Sequence, residues 1–276
     1  MKRILTFLVL LTGMAVAAAA WVGLPYLEHR WTYHVLREAA DGPWARPAGA
    51  EKVSFRTAGD VRLRGWFFKA AAPRNGVTVL VLAGNFGHLP SYVPHSQFLQ
   101  RRGFDLLLFN YRGFGMSDGE TESEATLTRD AEAAMRYLAH RGIDPSSVAI
   151  VGVSLGAPVA ATLAARTPCR AVALVSTVAS AKDKALLDRP WLPAFVLDHL
   201  TSPFDAAGAI DRARCPVLVV HGSDDESVPL DQAVQVFDAA HAPKRLVVVP
   251  TAEHNLLNVP PEDYLDAMAS FFLKRR

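Results

Sequence analysis

The sequence contains little cysteine: Cys169 and Cys215 are the two in 276 residues. This excludes a disulfide-built scaffold and a cysteine-based metal framework. Each cysteine lies just before an apolar run that reads as a strand. If those strands are neighbours, an oxidising compartment could join the two sulfurs, and the alternative is two buried thiols. The sequence leaves both open.

The sequence also lacks an excess of charge of one sign. It has 29 Lys and Arg residues and 27 Asp and Glu residues, which gives a net charge of +2. The charges are scattered, so neither a basic nucleic-acid-binding stripe nor an acidic tail is expected. Internal repeats are absent. Half of the residues are hydrophobic, which is enough for one large domain with a sizeable core. The oligomeric state is not readable from the sequence.

The longest uncharged segment is Ile4–Leu27, which follows Lys2 and Arg3. Residues 1–27 therefore read as a signal anchor, long enough to span a bilayer and flanked by the aromatic residues Trp21, Tyr26 and Trp31. The small residues 15–20 leave a cleaved signal peptide as the alternative, and a soluble protein with an apolar N-terminal helix as a third. In the first two cases the leading cations stay in the cytoplasm and the rest is exported.

Residues 28–50 read as a connector, with a short amphipathic helix around Trp31, Val35 and Leu36. Residues 51–276 form the predicted domain. Two alternating strands come first, and then short, fully apolar strands alternate with helices, which indicates a mostly parallel sheet covered on both faces. A Pro-rich stretch at about 178–214 is longer than a direct crossover needs and is expected to form a small helical cap over the site.

The most informative motif is Gly152-Val153-Ser154-Leu155-Gly156, between an apolar strand and an Ala-rich helix. This G-x-S-x-G pattern is typical of a nucleophile elbow, in which the serine adopts a strained backbone and the flanking glycines avoid a collision with it. Ser154 is therefore the candidate nucleophile. A strand-to-helix turn that happens to carry serine is the alternative.

A serine nucleophile needs a base, and His254 is the candidate among nine histidines because it follows the last apolar strand. His221 also ends a strand, but it more simply packs in its turn. The base needs an acid, for which Asp225 is the candidate, with Asp224 and Glu226 as rivals. These acids could instead cap the next helix.

An oxyanion hole needs two N–H groups, for which the backbone amide of Leu155 and that of Asn85 are the candidates, with Phe86 as the alternative to Asn85. Asn85 and Phe86 lie in the Gly-rich loop after the third strand. An ordinary turn is the other reading. A phosphate-binding loop is disfavoured because no Gly-Lys-Ser/Thr follows.

Together these residues resemble the α/β-hydrolase superfamily, and more narrowly its membrane-anchored, small-capped serine hydrolases, related to serine aminopeptidases and prolyl-oligopeptidase-like enzymes. The resemblance runs from about Glu51 to the C-terminus. It rests on residues 152–156, 221–229, 253–255 and Asn110–Ser117. It implies an eight-stranded, mostly parallel sheet, with Ser154, Asp225 and His254 as a catalytic triad and with Arg112 and Ser117 in structural roles.

Two positions depart from that pattern. The oxyanion loop begins Ala83-Gly84 where relatives often have His-Gly, so this position has no imidazole to hydrogen-bond within the loop. Glu253 precedes the base where relatives often have Gly, and its carboxylate could point inward or face water.

The predicted function is a serine hydrolase that cleaves an ester, thioester or related acyl bond of a small or lipid-like substrate, with neither metal nor organic cofactor. A peptidase is the second hypothesis, although Lys182, Lys184 and Arg189 offset Asp183, Asp188 and Asp198 in the cap. A catalytically silent binding module is the third. Four residues could line an acyl pocket or pack the cap: Phe86, Trp191, Phe195 and Leu197.

Overall fold

A computed structural model of the chain describes residues 23–24, 26–33, 45–71, 73–85, 88–241 and 243–274. Its centre is an eight-stranded sheet in the order β1-β2-β4-β3-β5-β6-β7-β8. β2 is antiparallel to β1 and to β4, and the remaining pairs are parallel. This confirms the predicted class. The strands are β1 Ala50–Arg56, β2 Arg62–Phe68, β3 Thr78–Leu82, β4 Asp105–Phe109, β5 Val148–Val153, β6 Ala171–Val175, β7 Val217–Gly222 and β8 Lys244–Val249.

Helices cover both faces because the central strands are apolar throughout and must be buried on each side. The α-helices that follow β3 are α1 Val93–Arg101, α2 Glu124–His140, α3 Gly156–Arg166, α4 Ala181–Asp188, α5 Ala194–Leu197, α6 Ala206–Asp211, α7 Leu230–Ala239 and α8 Glu262–Leu273. α2, α3, α6 and α7 contribute to the core on one face, and α1 and α8 to the core on the other.

The ends of α2 illustrate how local sequence sets these boundaries. The Ser123 hydroxyl accepts a hydrogen bond from the Thr126 backbone N–H, and Thr126 Oγ1 accepts one from the Ser123 N–H, forming a capping box. The helix therefore begins at Glu124. It ends before Gly142, whose φ of 78° is one that glycine adopts without the strain a Cβ would add.

The turn after β4 is held by buried polar contacts. The Arg112 guanidinium forms an ion pair with Asp130 of α2 at 2.6 Å, and both side chains are buried. Ser117 donates to the Asn110 carbonyl and accepts from the Arg64 N–H. Both contacts lie within the scaffold, as the resemblance implies for Arg112 and Ser117.

The predicted cap region contains α4, α5 and α6. Residues 26–32 are also helical and pack against it. Within the described part of the chain, no helix is both long enough and apolar enough to cross a membrane. Most of the predicted anchor lies outside the described residues, as do Val35 and Leu36. Cys169 and Cys215 are both buried.

Candidate active site

Ser154 follows β5 directly and has a φ of 51°, a left-handed conformation that is costly for a residue with a side chain. The two flanking glycines make the turn sterically feasible. A Cβ on Gly152 would lie 2.3 Å from the Gly156 carbonyl oxygen, and one on Gly156 would lie 2.1 Å from the Leu82 carbonyl oxygen. The sequence thus folds into the sharp strand-to-helix turn that the motif predicts, with Ser154 at the carboxyl edge of the sheet.

Three side chains that are distant in sequence meet at this edge. Ser154 Oγ lies 3.0 Å from His254 Nε2, and His254 Nδ1 lies 2.7 Å from Asp225 Oδ2. His254 comes from the loop after β8 and is partly exposed, whereas the Asp225 side chain is fully buried. A neutral imidazole protonated at Nδ1 would donate to Asp225 and accept from the serine hydroxyl.

Asp225 is held by further donors. The Val228 N–H donates to Oδ1 at 2.8 Å, and His221 Nε2 lies 3.2 Å from Oδ2. Burial pushes the pKa of Asp225 upward, but the hydrogen bonds from His221, His254 and Val228 outweigh burial and hold its pKa well below the ordinary value. The carboxyl is therefore an anion over the whole physiological pH range, as the partner of an imidazole must be.

The rival residues occupy other positions. Asp224 and Glu226 are exposed, and Asp224 accepts a hydrogen bond from Ser223 rather than from an imidazole. His221 packs in its turn as expected, but it also contacts Asp225, which the sequence reasoning missed. The signal was available, since a histidine that ends β7 four residues before the acid must share its turn. Glu253 is exposed and faces water.

The two oxyanion candidates flank the serine. Leu155 immediately precedes α3, where the first N–H groups of the helix have no intrahelical acceptor. Asn85 lines the same cavity as Ser154, and Phe86 lies outside the described residues. Two hydrogen bonds hold the loop: the Gly84 N–H donates to the Tyr92 hydroxyl at 2.8 Å, and Asn85 Nδ2 donates to the Thr32 carbonyl at 2.7 Å. Burial raises the pKa of Tyr92 to about 12, so its hydroxyl stays neutral.

A cavity of about 390 Å³ opens onto Ser154 and His254. Much of its wall is apolar and comes from α3 and the cap: Leu155, Pro158, Val178, Ala181, Ala185, Leu197, Leu200 and Phe204. Of the four residues proposed for an acyl pocket, Leu197 lines the cavity. Trp191 and Phe195 are exposed and do not line it, so for them neither the pocket nor the packing interpretation holds.

Sequence reasoning missed one wall of this cavity. Glu28, Trp31 and Thr32, from the segment read as a connector, line it beside Asn85. No group of three or more potential metal ligands occurs among the described residues.

The fold and the Ser-His-Asp arrangement define a class, and sequence comparison agrees with it. Residues 77–201 match the model of the α/β hydrolase fold family. The chain is 31% identical over 245 residues to the mouse α/β hydrolase domain-containing protein 17C, covering 86% of this chain and 72% of that protein. The chain belongs to the α/β-hydrolase family.

Similar proteins are found in bacteria as well. The chain is 37% identical over 212 residues to the uncharacterized protein Rv2307c of Mycobacterium tuberculosis, covering 76% of this chain and 73% of that protein. Among solved structures, the esterase Pf2001 of Pyrococcus furiosus superimposes with a TM-score of 0.68 at 18% identity, over 87% of this chain and 97% of that one. At that identity the likeness concerns the fold.

Proposed function

We propose that this protein is a serine hydrolase that cleaves an ester, thioester or related acyl bond through an acyl-enzyme. The observation that carries the proposal is the pair of contacts from Ser154 Oγ to His254 Nε2 and from His254 Nδ1 to Asp225 Oδ2, at 3.0 Å and 2.7 Å. Both distances are within the range in which a proton can pass between a hydroxyl and an imidazole.

In the first half-reaction, Ser154 Oγ attacks the substrate carbonyl carbon while its proton passes to His254 Nε2. The imidazolium that forms is stabilised by the buried Asp225 anion. The oxygen of the tetrahedral intermediate accepts hydrogen bonds from the Leu155 N–H and the Asn85 N–H, the two proposed oxyanion donors. The intermediate collapses when the bond to the leaving group breaks, and His254 returns the proton to the departing oxygen or sulfur.

In the second half-reaction, water takes the place of the leaving group. His254 accepts a proton from the water, whose oxygen attacks the acyl carbon on Ser154. The ester bond to Ser154 then breaks, Oγ regains its proton from His254, and the carboxylic acid is released.

The side chains that line the cavity favour an acyl substrate rather than a peptide with a free amino group. An aminopeptidase needs an acid that is available to the substrate's ammonium. Two acids line the cavity, and both are engaged: Asp188 pairs with Lys184, and Glu28 accepts three hydrogen bonds from the cap. The apolar wall from α3 and the cap suits an acyl chain. The name of the Pyrococcus esterase, a structure of the same fold, agrees with this preference.

We further propose that residues 4–27 anchor the protein in the membrane with the catalytic domain on the non-cytoplasmic side, or direct its secretion if they are cleaved. The uncharged segment and its two preceding cations support this. Exposed aromatic side chains at the C-terminal end of the segment and on the cap also suit a membrane interface: Tyr26, Trp191 and Phe195 are 67%, 73% and 69% exposed.

Labelling with a fluorophosphonate probe tests the catalytic proposal. We expect the full-length wild type to be labelled and to hydrolyse p-nitrophenyl esters, and Ser154→Ala to do neither. Ser146→Ala is the matched control, because Ser146 is exposed at the opposite end of β5 and should label like the wild type. Labelling that persists in Ser154→Ala would refute the nucleophile. A folded wild type that is not labelled would favour a silent binding module, and faster turnover of aminoacyl nitroanilides than of esters would favour a peptidase.

A further inference from the structure

The helical residues 26–32 and the adjoining Tyr33 bridge two parts of the active site. Glu28, Trp31 and Thr32 are spaced i, i+3 and i+4, so they share one face of this helix, and that face lines the cavity over Ser154. On the other side of the helix, Tyr26 and Arg30 are exposed. Residues 26–33 are called the N-terminal wall below.

The N-terminal wall is attached to the cap through Glu28, a residue that is 5% exposed. Oε2 accepts hydrogen bonds from the Thr201 N–H at 2.8 Å and from the Thr201 hydroxyl at 2.9 Å, and Oε1 accepts one from the Ser202 N–H at 2.6 Å. Both oxygens face backbone N–H groups, so the site requires a group that only accepts.

Further contacts fix the remainder of the N-terminal wall. The Arg189 guanidinium of the cap lies 4.3 Å from the ring centre of Trp31, a cation–π contact. The Tyr33 ring packs against Phe204, with 6.2 Å between ring centres. The Thr32 carbonyl accepts from Asn85 Nδ2. The same short helix therefore contacts the cap and the loop of the proposed oxyanion donor.

We propose that the N-terminal wall is a specificity element of the active site, in which Trp31 limits the acyl group that the cavity accepts and Glu28 is the positioning residue that fixes the wall to the cap. This rests on the proposed acyl hydrolysis. It follows from the position of Trp31, which is the largest side chain lining the cavity and has its ring held in place by Arg189. A rigid indole at this position restricts the space available to an acyl chain, and the restriction is lost if the wall separates from the cap.

The test uses the full-length protein and a series of p-nitrophenyl esters from acetyl to dodecanoyl. We expect Trp31→Ala to raise the ratio of kcat/KM for long over acetyl esters by about tenfold, the effect of one or two methylenes in an apolar pocket. We expect Glu28→Gln to raise the same ratio, mainly by lowering KM for the long esters and with little change in kcat, because the amide places an N–H against a backbone N–H and releases the wall. Arg30→Ala, on the exposed side of the same helix, should keep the wild-type profile.

A second readout does not depend on turnover. Amide hydrogen exchange at Thr201 and Ser202 should be faster in Glu28→Gln than in the wild type and in Arg30→Ala, because glutamine offers these two N–H groups one acceptor oxygen where the carboxylate offers two, and because the wall is released. Wild-type chain-length profiles in both Trp31→Ala and Glu28→Gln would overturn the proposal, and so would unchanged exchange at the two amides. If the wild type is not labelled by fluorophosphonate, the proposed function fails, while the exchange measurement still decides whether Glu28 holds the wall.

Discussion

His221 Nε2 lies 3.2 Å from the same Asp225 oxygen that faces His254, and 2.7 Å from the Val228 carbonyl oxygen. Both neighbours of this nitrogen are acceptors, so the proton of His221 must reside on Nε2. His221 Nδ1 is buried and has no hydrogen-bond partner among the described residues. The Nε2–H of His221 is therefore shared between the Asp225 carboxylate and the backbone carbonyl of its own turn.

This arrangement predicts that His221 orients Asp225. We expect His221→Leu to lower kcat for p-nitrophenyl acetate by about tenfold or more, because loss of a buried hydrogen bond costs about 1–3 kcal/mol. His221→Gln retains an N–H donor of similar reach and should recover part of the loss. Steady-state kinetics with thermal denaturation of each variant checks this. Equal kcat in the wild type and in a folded His221→Leu would show that His221 acts only in packing.

The Asp225–His254 contact predicts a larger effect. Asp225→Asn keeps the shape of the side chain but can favour the wrong imidazole tautomer, so we expect kcat to fall by about 10³–10⁴-fold. Asp224→Asn is the matched control, since Asp224 is exposed and contacts Ser223, and it should remain close to the wild type. If Asp224→Asn were the more damaging substitution, the assignment of the acid would be wrong.

Much of this site could be predicted from the sequence because one geometric rule orders it. The carboxyl ends of parallel strands lie at one edge of the sheet, so residues that follow β5, β7 and β8 must come close together. Ser154, Asp225 and His254 follow those strands, and each carries the right chemistry. The central strands could also be predicted from the sequence, because strands that are buried on both faces consist of uninterrupted hydrophobic residues.

The N-terminal wall could not be predicted in this way. Glu28 and Thr201 are 173 positions apart, and neither belongs to a strand whose place in the sheet is fixed. A carboxylate that accepts two backbone N–H bonds looks, in sequence, like any charged residue near an apolar segment. The exposure of Trp191 and Phe195 could not be predicted either, since an aromatic residue in a Pro-rich cap can point into the cavity or into solvent.

The left-handed backbone of Ser154 predicts that glycine at this position gives a more stable protein than alanine does. At a φ of 51° an alanine remains strained, whereas glycine adopts this region freely. The strain is worth about 1–2 kcal/mol, and the greater freedom of glycine in the unfolded chain offsets part of it. Ser154→Gly should therefore be more stable than Ser154→Ala by about 0.5–1 kcal/mol, measured by urea denaturation. A less stable glycine variant would indicate that the elbow is not strained.

The buried carboxyl of Glu124, at the start of α2, predicts a pH-dependent term in stability. Burial raises the pKa of Glu124, although hydrogen bonds from the Phe204 N–H at 2.7 Å and from the Thr162 hydroxyl oppose this. The native state therefore holds this proton more tightly than the unfolded chain does. Where the native state binds more protons, the free energy of unfolding falls as the pH rises. As the pH rises from the ordinary carboxyl pKa to the raised pKa of Glu124, this group should therefore lower the free energy of unfolding progressively.

Glu124→Gln removes this titration while keeping an oxygen that can accept from the Phe204 N–H. We expect the stability of the variant relative to the wild type to increase from pH 4 to pH 7, with a slope no steeper than about 1.4 kcal/mol per pH unit. Urea denaturation of both proteins across this range gives the difference directly, because the other titrating groups are common to both and cancel. Glu122→Gln is the matched control, since Glu122 lies two residues away and is exposed, so it makes the same change of residue type without the burial. A difference for Glu124→Gln that is constant with pH, or that favours the wild type more as the pH rises, would mean that the Glu124 carboxyl ionises at least as readily in the folded protein as in the unfolded chain.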